Sequence, residues 1–170
     1  MDQSVRREMA ALLPRLRRFA YGLTGSIDAG DDLVQSTCER ALSRLHLWQA
    51  GTRLDSWMYR IMQNLWFDEL RAGRRREVAT EPETLDAMTG GDAESEAAMR
   101  LDLATVRRRM ADLPPDQRAV LLLVSVEGLS YKDAAAVLEV PIGTVMSRLA
   151  RARLALARAL EPAAAPGGVA

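Results

Sequence analysis

Residues 129–156 carry the pattern of a helix-turn-helix, which constrains the fold of this chain more than any other segment. Ser130 precedes a short apolar segment and Asp133 follows three residues later, a spacing that predicts a capped helix. Pro141 cannot continue that helix, so residues 139–143 are predicted to form the turn. A second helix should start near Ile142, because apolar residues then recur at intervals of three and four: Val145, Leu149, Ala152, Leu156 and Leu160.

The opposite side of this second helix carries polar and basic residues. At about 100° per residue, Thr144, Ser147 and Arg151 share that side, and Arg148 lies at its edge. Hydroxyl and guanidinium groups bond phosphates and base edges, so this side is a candidate DNA-reading surface. An ordinary helical hairpin with solvated arginines is the alternative. The combination of a capped helix, a proline turn and opposed arginines weighs against it.

The chain has zero net charge, but the charges are unevenly distributed along it. Residues 1–76 hold 13 basic and 9 acidic side chains, and residues 100–170 hold 10 basic and 7 acidic ones. Residues 77–99 hold seven acidic side chains and no basic one. Residues 162–170 are mostly alanine, proline and glycine, and we expect them to form a disordered tail. High charge with little periodic apolar content predicts that residues 77–99 form a flexible acidic linker, which joins modules at 1–76 and 100–161. Modules joined in this way should reorient freely.

Composition argues against several classes of protein. No apolar run approaches the roughly 20 residues of a membrane span, and the first residues lack signal-peptide architecture. We therefore expect a cytoplasmic protein without membrane insertion. The single cysteine, Cys38, and the single histidine, His46, supply neither a metal-ligand set nor a recognisable catalytic pair. We expect no metal, no cofactor and no enzymatic activity.

The N-terminal module is predicted to contain three helices. The first runs from about Val5 to Gly22, with Pro14 expected to kink or restart it. The second starts after Asp28, and the third runs from about Asp55 to Ala72, with Trp57, Ile61, Leu65 and Leu70 in apolar positions. Together with the helix-turn-helix, these segments predict an all-α protein of two small helical domains.

Aromatic side chains are interleaved with arginine around the third helix, at Trp48, Trp57, Tyr59, Arg60 and Trp66. Such a mixture suits the bases of a single strand stacking beside neutralised phosphates. The alternative is that some of these rings are simply buried in the core, and we favour it for Trp57 and Trp66.

Four segments in this chain also match a known set of motifs. They are Asp31-Asp32-Leu33-Val34-Gln35; Trp57-Met58-Tyr59-Arg60-Ile61 with Asn64, Asp68 and Arg71; Leu113-Pro114-Pro115-Asp116-Gln117-Arg118; and Gly143-Thr144-Val145-Met146-Ser147-Arg148 with Arg151-Ala152-Arg153. In content and order they resemble the bacterial extracytoplasmic-function sigma factors of the sigma-70 family. The resemblance covers nearly the whole chain, including both modules.

That resemblance implies three partners: core RNA polymerase, promoter DNA and an anti-sigma factor. It implies that sigma region 2, residues 1–76, docks on core polymerase through Asp31, Asp32, Leu33 and Gln35. The same region would recognise and help melt the minus-10 element, holding the opened strand with Trp48, Arg60, Asn64 and Arg71. Sigma region 4, residues 100–161, would read the minus-35 element in the major groove with Thr144, Met146, Ser147, Arg148 and Arg151.

One position departs from the family pattern. Where Met146 stands, the family commonly has lysine or arginine, so one phosphate or base contact is expected to be missing. Methionine offers only apolar contact, for instance with a thymine methyl group. The promoter sequence read by relatives is therefore not transferable to this chain.

Two other functions remain open at this point. One is a free-standing helix-turn-helix transcriptional regulator, and the other is a sigma-like decoy that binds an anti-sigma factor. A free-standing regulator would have no use for residues 31–71, and a decoy would not need Arg148 and Arg151.

Overall fold

The computed structural model describes residues 3–77 and 94–161, and over these residues the protein is all-α, as predicted, with two helical domains. A 3₁₀ turn at Leu45–Leu47 and a π-helical turn at Leu122–Val126 interrupt the series of α-helices. None of the described helices combines the length and apolar character needed to cross a membrane. The helices are α1 (Gln3–Thr24), α2 (Ile27–Ser43), α3 (Leu54–Glu77), α4 (Glu94–Ala111), α5 (Pro115–Leu121), α6 (Tyr131–Leu138) and α7 (Ile142–Leu160).

Helices α1, α2 and α3 pack against one another and form the first module. The α1 residues Met9, Leu16 and Leu23 recur every seven residues and face its core. Pro14 does not restart the helix, because α1 continues through it. Pro14 is exposed, and buried residues on both sides of it anchor the helix, which offsets the hydrogen bond that proline cannot donate.

Helix α2 begins after a capping serine, and the core residues of helix α3 differ in part from those that the sequence pattern predicted. The α2 helix is capped by Ser26, whose hydroxyl accepts a hydrogen bond from the Ala29 N–H at 3.3 Å. In α3 the core positions are Leu54, Met58, Tyr59, Met62, Leu65 and Trp66, whereas the predicted Trp57, Ile61 and Leu70 are only partly buried. The predicted stripe was rotated from the true one, because helices on several sides cover a wide arc of α3.

The second module comprises α4 to α7, with α7 packed against α4, α5 and α6. Ser130 caps α6, accepting a hydrogen bond from the Asp133 N–H at 3.0 Å, and α7 begins at Ile142; both features were predicted. Glu139 ends α6 in the left-handed conformation, with φ of 56°. The stripe of α7 is buried at Val145, Leu149 and Ala152, becomes half-buried at Leu156 and ends exposed at Leu160.

Helix boundaries shorten the segment expected to be a linker. Helix α3 extends to Glu77, and α4 begins at Glu94, so residues 94–99 belong to a helix. The remainder of the expected linker, residues 78–93, and the expected tail, residues 162–170, lie outside the described residues.

The two modules are packed together, in contrast to the free reorientation expected from the sequence. Buried side chains of both form one hydrophobic cluster. Leu121, Leu122 and Leu123 explain this packing: all three are buried, and Leu122 lies against α1 at Gly22. This run of three leucines spans the end of α5 and the start of the π-helical turn, so it presents apolar surface in several directions, and α7 can cover only part of it.

Candidate nucleic-acid interface

Helix α7 presents a polar and basic face on the side opposite its buried stripe. Ser147 and Arg151 are exposed on this face, and Thr144 is half-buried beside them. The Ser147 hydroxyl donates to the Thr144 carbonyl oxygen at 3.1 Å, a bond that a rotating hydroxyl can exchange for a base or phosphate. Met146 is also exposed, with its neighbour Ile142, so an apolar strip borders the polar face.

Arg148 lies at the edge of that face, as predicted, and its guanidinium group forms an ion pair within the protein. Its Nε lies 3.2 Å from Oδ2 of Asp116 in α5, and only 26% of its side chain is exposed. Asp116 therefore orients the guanidinium group while two of its nitrogens remain available for another acceptor. The ion pair joins two helices, and no spacing in the sequence indicated it.

One side of α3 carries Arg60, Asn64 and Arg71. Asn64 and Arg71 follow Arg60 by four and eleven residues, and such positions fall within about 40° of each other on a helix. Asn64 is exposed, and its Oδ1 accepts a hydrogen bond from Gln63 at 2.6 Å. Arg71 is exposed and lies 3.7 Å from Asp68 on the same helix. The structure thus groups three of the four residues predicted for the opened strand.

Arg60 differs from the other two because the second module covers it. Its Nη2 donates to the Ala136 carbonyl oxygen of α6 at 2.8 Å, and its Nε is buried without a hydrogen-bond partner. In this arrangement the guanidinium group contacts protein, and Asn64 and Arg71 are the members of the group that remain exposed.

Aromatic residues of the first module mostly serve its packing. Trp66 is buried, as we favoured, and the Arg118 guanidinium lies 5.5 Å from the centre of its ring. Tyr59 is fully buried, which excludes it as a stacking platform in this arrangement. Trp48 is partly buried against the core, and its indole Nε1 is buried without a partner. Trp57 is also partly buried, so its assignment to the core holds in part.

The predicted polymerase-docking segment divides into an exposed part and a buried part. Asp31, Asp32 and Gln35 are exposed on α2. Leu33 is fully buried in the first module, so including it among the contact residues was wrong: a leucine in this position packs α2 onto its neighbours. Asp31 accepts a hydrogen bond from the Tyr21 hydroxyl at 2.7 Å, which raises the pKa of Tyr21.

Sequence patterns missed one acidic neighbour of this segment. Burial raises the pKa of Glu69 in α3, and the negative charge of Asp32 raises it further. The charge of Asp32 on α2 therefore acts on a carboxyl group of a different helix. Local spacing could not reveal it, because the two residues meet only when α2 packs on α3.

Two family models and several known proteins match this chain. Residues 103–156 match the family "Sigma-70, region 4", and residues 9–63 match the family "Sigma2 domain of PhyR". The chain is 38% identical to the ECF RNA polymerase sigma factor EcfG of Rhodopseudomonas palustris, over 94% of this chain and 87% of that protein. It is also 38% identical to the ECF sigma factor SigC of Mycobacterium tuberculosis, over 80% of this chain and 72% of that protein.

A solved structure shows the same similarity in three dimensions. The sigma factor RpoE of Bartonella quintana, solved in complex with the anti-sigma factor NepR, superimposes with a TM-score of 0.82 and 29% sequence identity. The match covers 96% of this chain and all of that one. Identity of 38% over most of both chains, together with family matches to both modules, shows that this chain belongs to the extracytoplasmic-function (ECF) family of RNA polymerase sigma factors.

Proposed function

We propose that this sigma factor binds core RNA polymerase through α2, reads a minus-35 element with α7, and holds the opened minus-10 strand on α3. The observation that carries the proposal is the exposed polar and basic face of α7, opposite the buried residues Val145, Leu149 and Ala152, in a chain that matches sigma factors over nearly its whole length. A sigma-like decoy would have no need for that face.

For the minus-35 element, the N-terminal half of α7 supplies the contacts. In helix-turn-helix proteins this part of the second helix meets base edges in the major groove. Ser147 and Arg151 offer hydrogen bonds to bases or phosphates, Thr144 stands beside them, and Arg148 is oriented by Asp116. Exposed Met146 adds an apolar group suited to a thymine methyl.

For the minus-10 element, the shared side of α3 supplies an amide and two guanidinium groups. Asn64 can hydrogen-bond an unpaired base, and Arg71 can neutralise the backbone of the opened strand. Arg60 joins them once α6 no longer covers it. Trp48 contributes only if its ring leaves the position in which it is partly buried.

For core polymerase, the exposed carboxylates of Asp31 and Asp32 and the amide of Gln35 form a polar docking face, which Glu69 extends. Charged surfaces of this kind set the specificity and rate of association. Since polymerase and promoter DNA are the targets, the site of action is the cytoplasm.

Control by an anti-sigma factor is the regulatory part of the proposal. The structurally similar RpoE was solved with NepR, and a second relative, CnrH, was solved with the cytosolic domain of CnrY. We expect a protein of the same kind to bind this chain and to block access to the faces on α2 and α7.

Run-off transcription with purified core polymerase on a randomised promoter library tests the function. Specific initiation from a two-element consensus is expected, and Arg151→Ala should reduce minus-35 affinity by about 1–3 kcal/mol and relax preference at one position. Arg107→Ala, which removes an exposed arginine of α4, is the matched control and should leave the consensus unchanged. An unchanged consensus for Arg151→Ala would contradict the orientation assigned to α7. Operator binding without any association with core polymerase would favour a free-standing regulator.

A further inference from the structure

Near its start, α2 passes beneath an aromatic ring of α1. Gly30 lies on the buried side of α2, and a β-carbon there would stand 2.3 Å from Cδ1 of Tyr21 and 2.9 Å from its Cε1. The same β-carbon would lie 3.3 Å from the backbone nitrogen of Tyr21, so the two helices approach each other closely. Gly30 therefore provides the space in which the Tyr21 ring packs.

The packed ring brings its hydroxyl to the docking face proposed on α2. The Tyr21 hydroxyl donates to Oδ1 of Asp31 at 2.7 Å, a short distance that is typical of a hydroxyl bonded to an ionised carboxylate. This hydrogen bond raises the pKa of Tyr21, because it stabilises the protonated phenol. Asp31 is therefore attached to α1 as well as to its own helix.

The second oxygen of Asp31 remains available to a partner. Among the described residues, α1 contacts Asp31 at Oδ1, through the Tyr21 hydroxyl and, at 3.8 Å, through the Arg17 Nε. About half of the Asp31 side chain is exposed, so Oδ2 can accept a hydrogen bond from a basic group of a docking protein. Tyr21 is the neighbour at hydrogen-bond distance, whereas Arg17 lies beyond it and is itself more than half exposed.

An exposed carboxylate binds more tightly if its orientation is fixed beforehand. A free aspartate on a helix surface samples several rotamers, and ordering a side chain at an interface costs binding free energy. The tyrosine ring is rigid, and the backbone of Gly30 restricts its position. The hydrogen bond from Tyr21 therefore orders Asp31 during folding, before any partner docks.

We propose that Tyr21, packed on Gly30, is a positioning residue that orients Asp31 for core polymerase. The inference rests on the proposed function, because Asp31 belongs to the docking face assigned to α2. Tyr21 acts through Asp31 and does not itself contact the polymerase. All of the residues involved belong to the first module.

Tyr21→Phe separates positioning from packing. Phenylalanine keeps the ring over Gly30 and loses only the hydroxyl that reaches Asp31. The variant should keep the thermal midpoint and bind purified core polymerase about threefold to tenfold more weakly, the range expected when one interface side chain is left unordered. Competition with N-terminally labelled wild type, followed by fluorescence anisotropy, measures the affinity. Tyr131→Phe, which removes an exposed hydroxyl of α6, is the matched control and should bind like the wild type.

A double-mutant cycle shows whether Tyr21 acts through Asp31. Asp31→Ala should weaken binding of core polymerase. Adding Tyr21→Phe to it should then change the affinity by less than about twofold, because no carboxylate remains to be oriented. A packing role for Tyr21, or its direct contact with the polymerase, would instead give the same loss with and without Asp31.

Gly30→Ala tests the close approach of the two helices. Its β-carbon, 2.3 Å from the ring, should displace the Tyr21 hydroxyl from Asp31 and weaken polymerase binding as much as Tyr21→Phe does. Gly73→Ala is the matched control, because nothing lies within 4 Å of a β-carbon at that position of α3. Its affinity should equal that of the wild type.

Ultraviolet titration of the phenolate reports the hydrogen bond itself. Subtracting the spectrum of the matching Tyr21→Phe protein isolates the Tyr21 phenol. This phenol should ionise at higher pH in the wild type than in Asp31→Ala or Gly30→Ala, because both variants lose the bond that raises its pKa. Arg17, whose charge lowers the pKa of Tyr21, is present in all of these proteins.

Three results would overturn the proposal. They are wild-type affinity for Tyr21→Phe, an equal loss with and without Asp31, and a phenol titration that neither Asp31→Ala nor Gly30→Ala changes. Loss of the hydrogen bond in Gly30→Ala without weaker binding would also contradict it. Failure of the proposed function looks different: Asp31→Ala would then bind core polymerase like the wild type, or the wild type would not bind it at all.

Discussion

Arg18 and Glu127 should show a large coupling energy in a double-mutant cycle. Two hydrogen bonds of 2.8 Å join them, and Glu127 is completely buried, whereas about half of the Arg18 side chain is exposed. A hydrogen bond to a charged group contributes about 1.5–3 kcal/mol. Because water and salt screen the exposed half of Arg18, we reduce the expected coupling of the whole pair to about 1–3 kcal/mol.

Urea unfolding of the wild type, Arg18→Ala, Glu127→Ala and the double variant gives the coupling directly. A control cycle uses Arg17, the neighbour of Arg18 on α1, and Asp31 of α2: the Arg17 Nε lies 3.8 Å from Oδ1 of Asp31, and both side chains are more than half exposed. That cycle should yield less than about 0.5 kcal/mol. If the coupling energy of Arg18 and Glu127 is no larger than that of the control pair, this contact does not join the modules in solution.

One chemical reaction and three substitutions test individual parts of the structure. Burial raises the pKa of the Cys38 thiol, so iodoacetamide at pH 8 should modify it more slowly than in the urea-unfolded chain, as followed by mass spectrometry. Ser130→Ala should lower the unfolding free energy by about 1 kcal/mol in denaturant titrations, because it removes the α6 cap. Leu33→Ala should lower the unfolding free energy by about 2–5 kcal/mol, because Leu33 is buried. Asp32→Ala should keep the thermal midpoint and weaken capture by core polymerase, because Asp32 is exposed. Equal thermal midpoints for the two variants would contradict a packing role for Leu33 and a surface role for Asp32.

The helix-turn-helix could be predicted in detail because everything that defines it is local. The Ser130 cap, the Pro141 turn and the buried stripe of α7 all depend on residues within a few turns of one another. Helix α7 begins where the apolar pattern begins, and its polar face follows from geometry alone. The family resemblance then supplied the order of the modules, which no periodicity could provide.

The joint between the modules could not be predicted, because its parts are far apart in sequence. Arg18 and Glu127 are 109 residues apart, and Tyr59 and Glu127 are 68 apart. Viewed locally, Glu127 is a polar residue after an apolar run and Gly22 is an ordinary glycine near a helix end. Their roles exist only in the packed arrangement, as does the rotation of the α3 core toward Met58 and Tyr59.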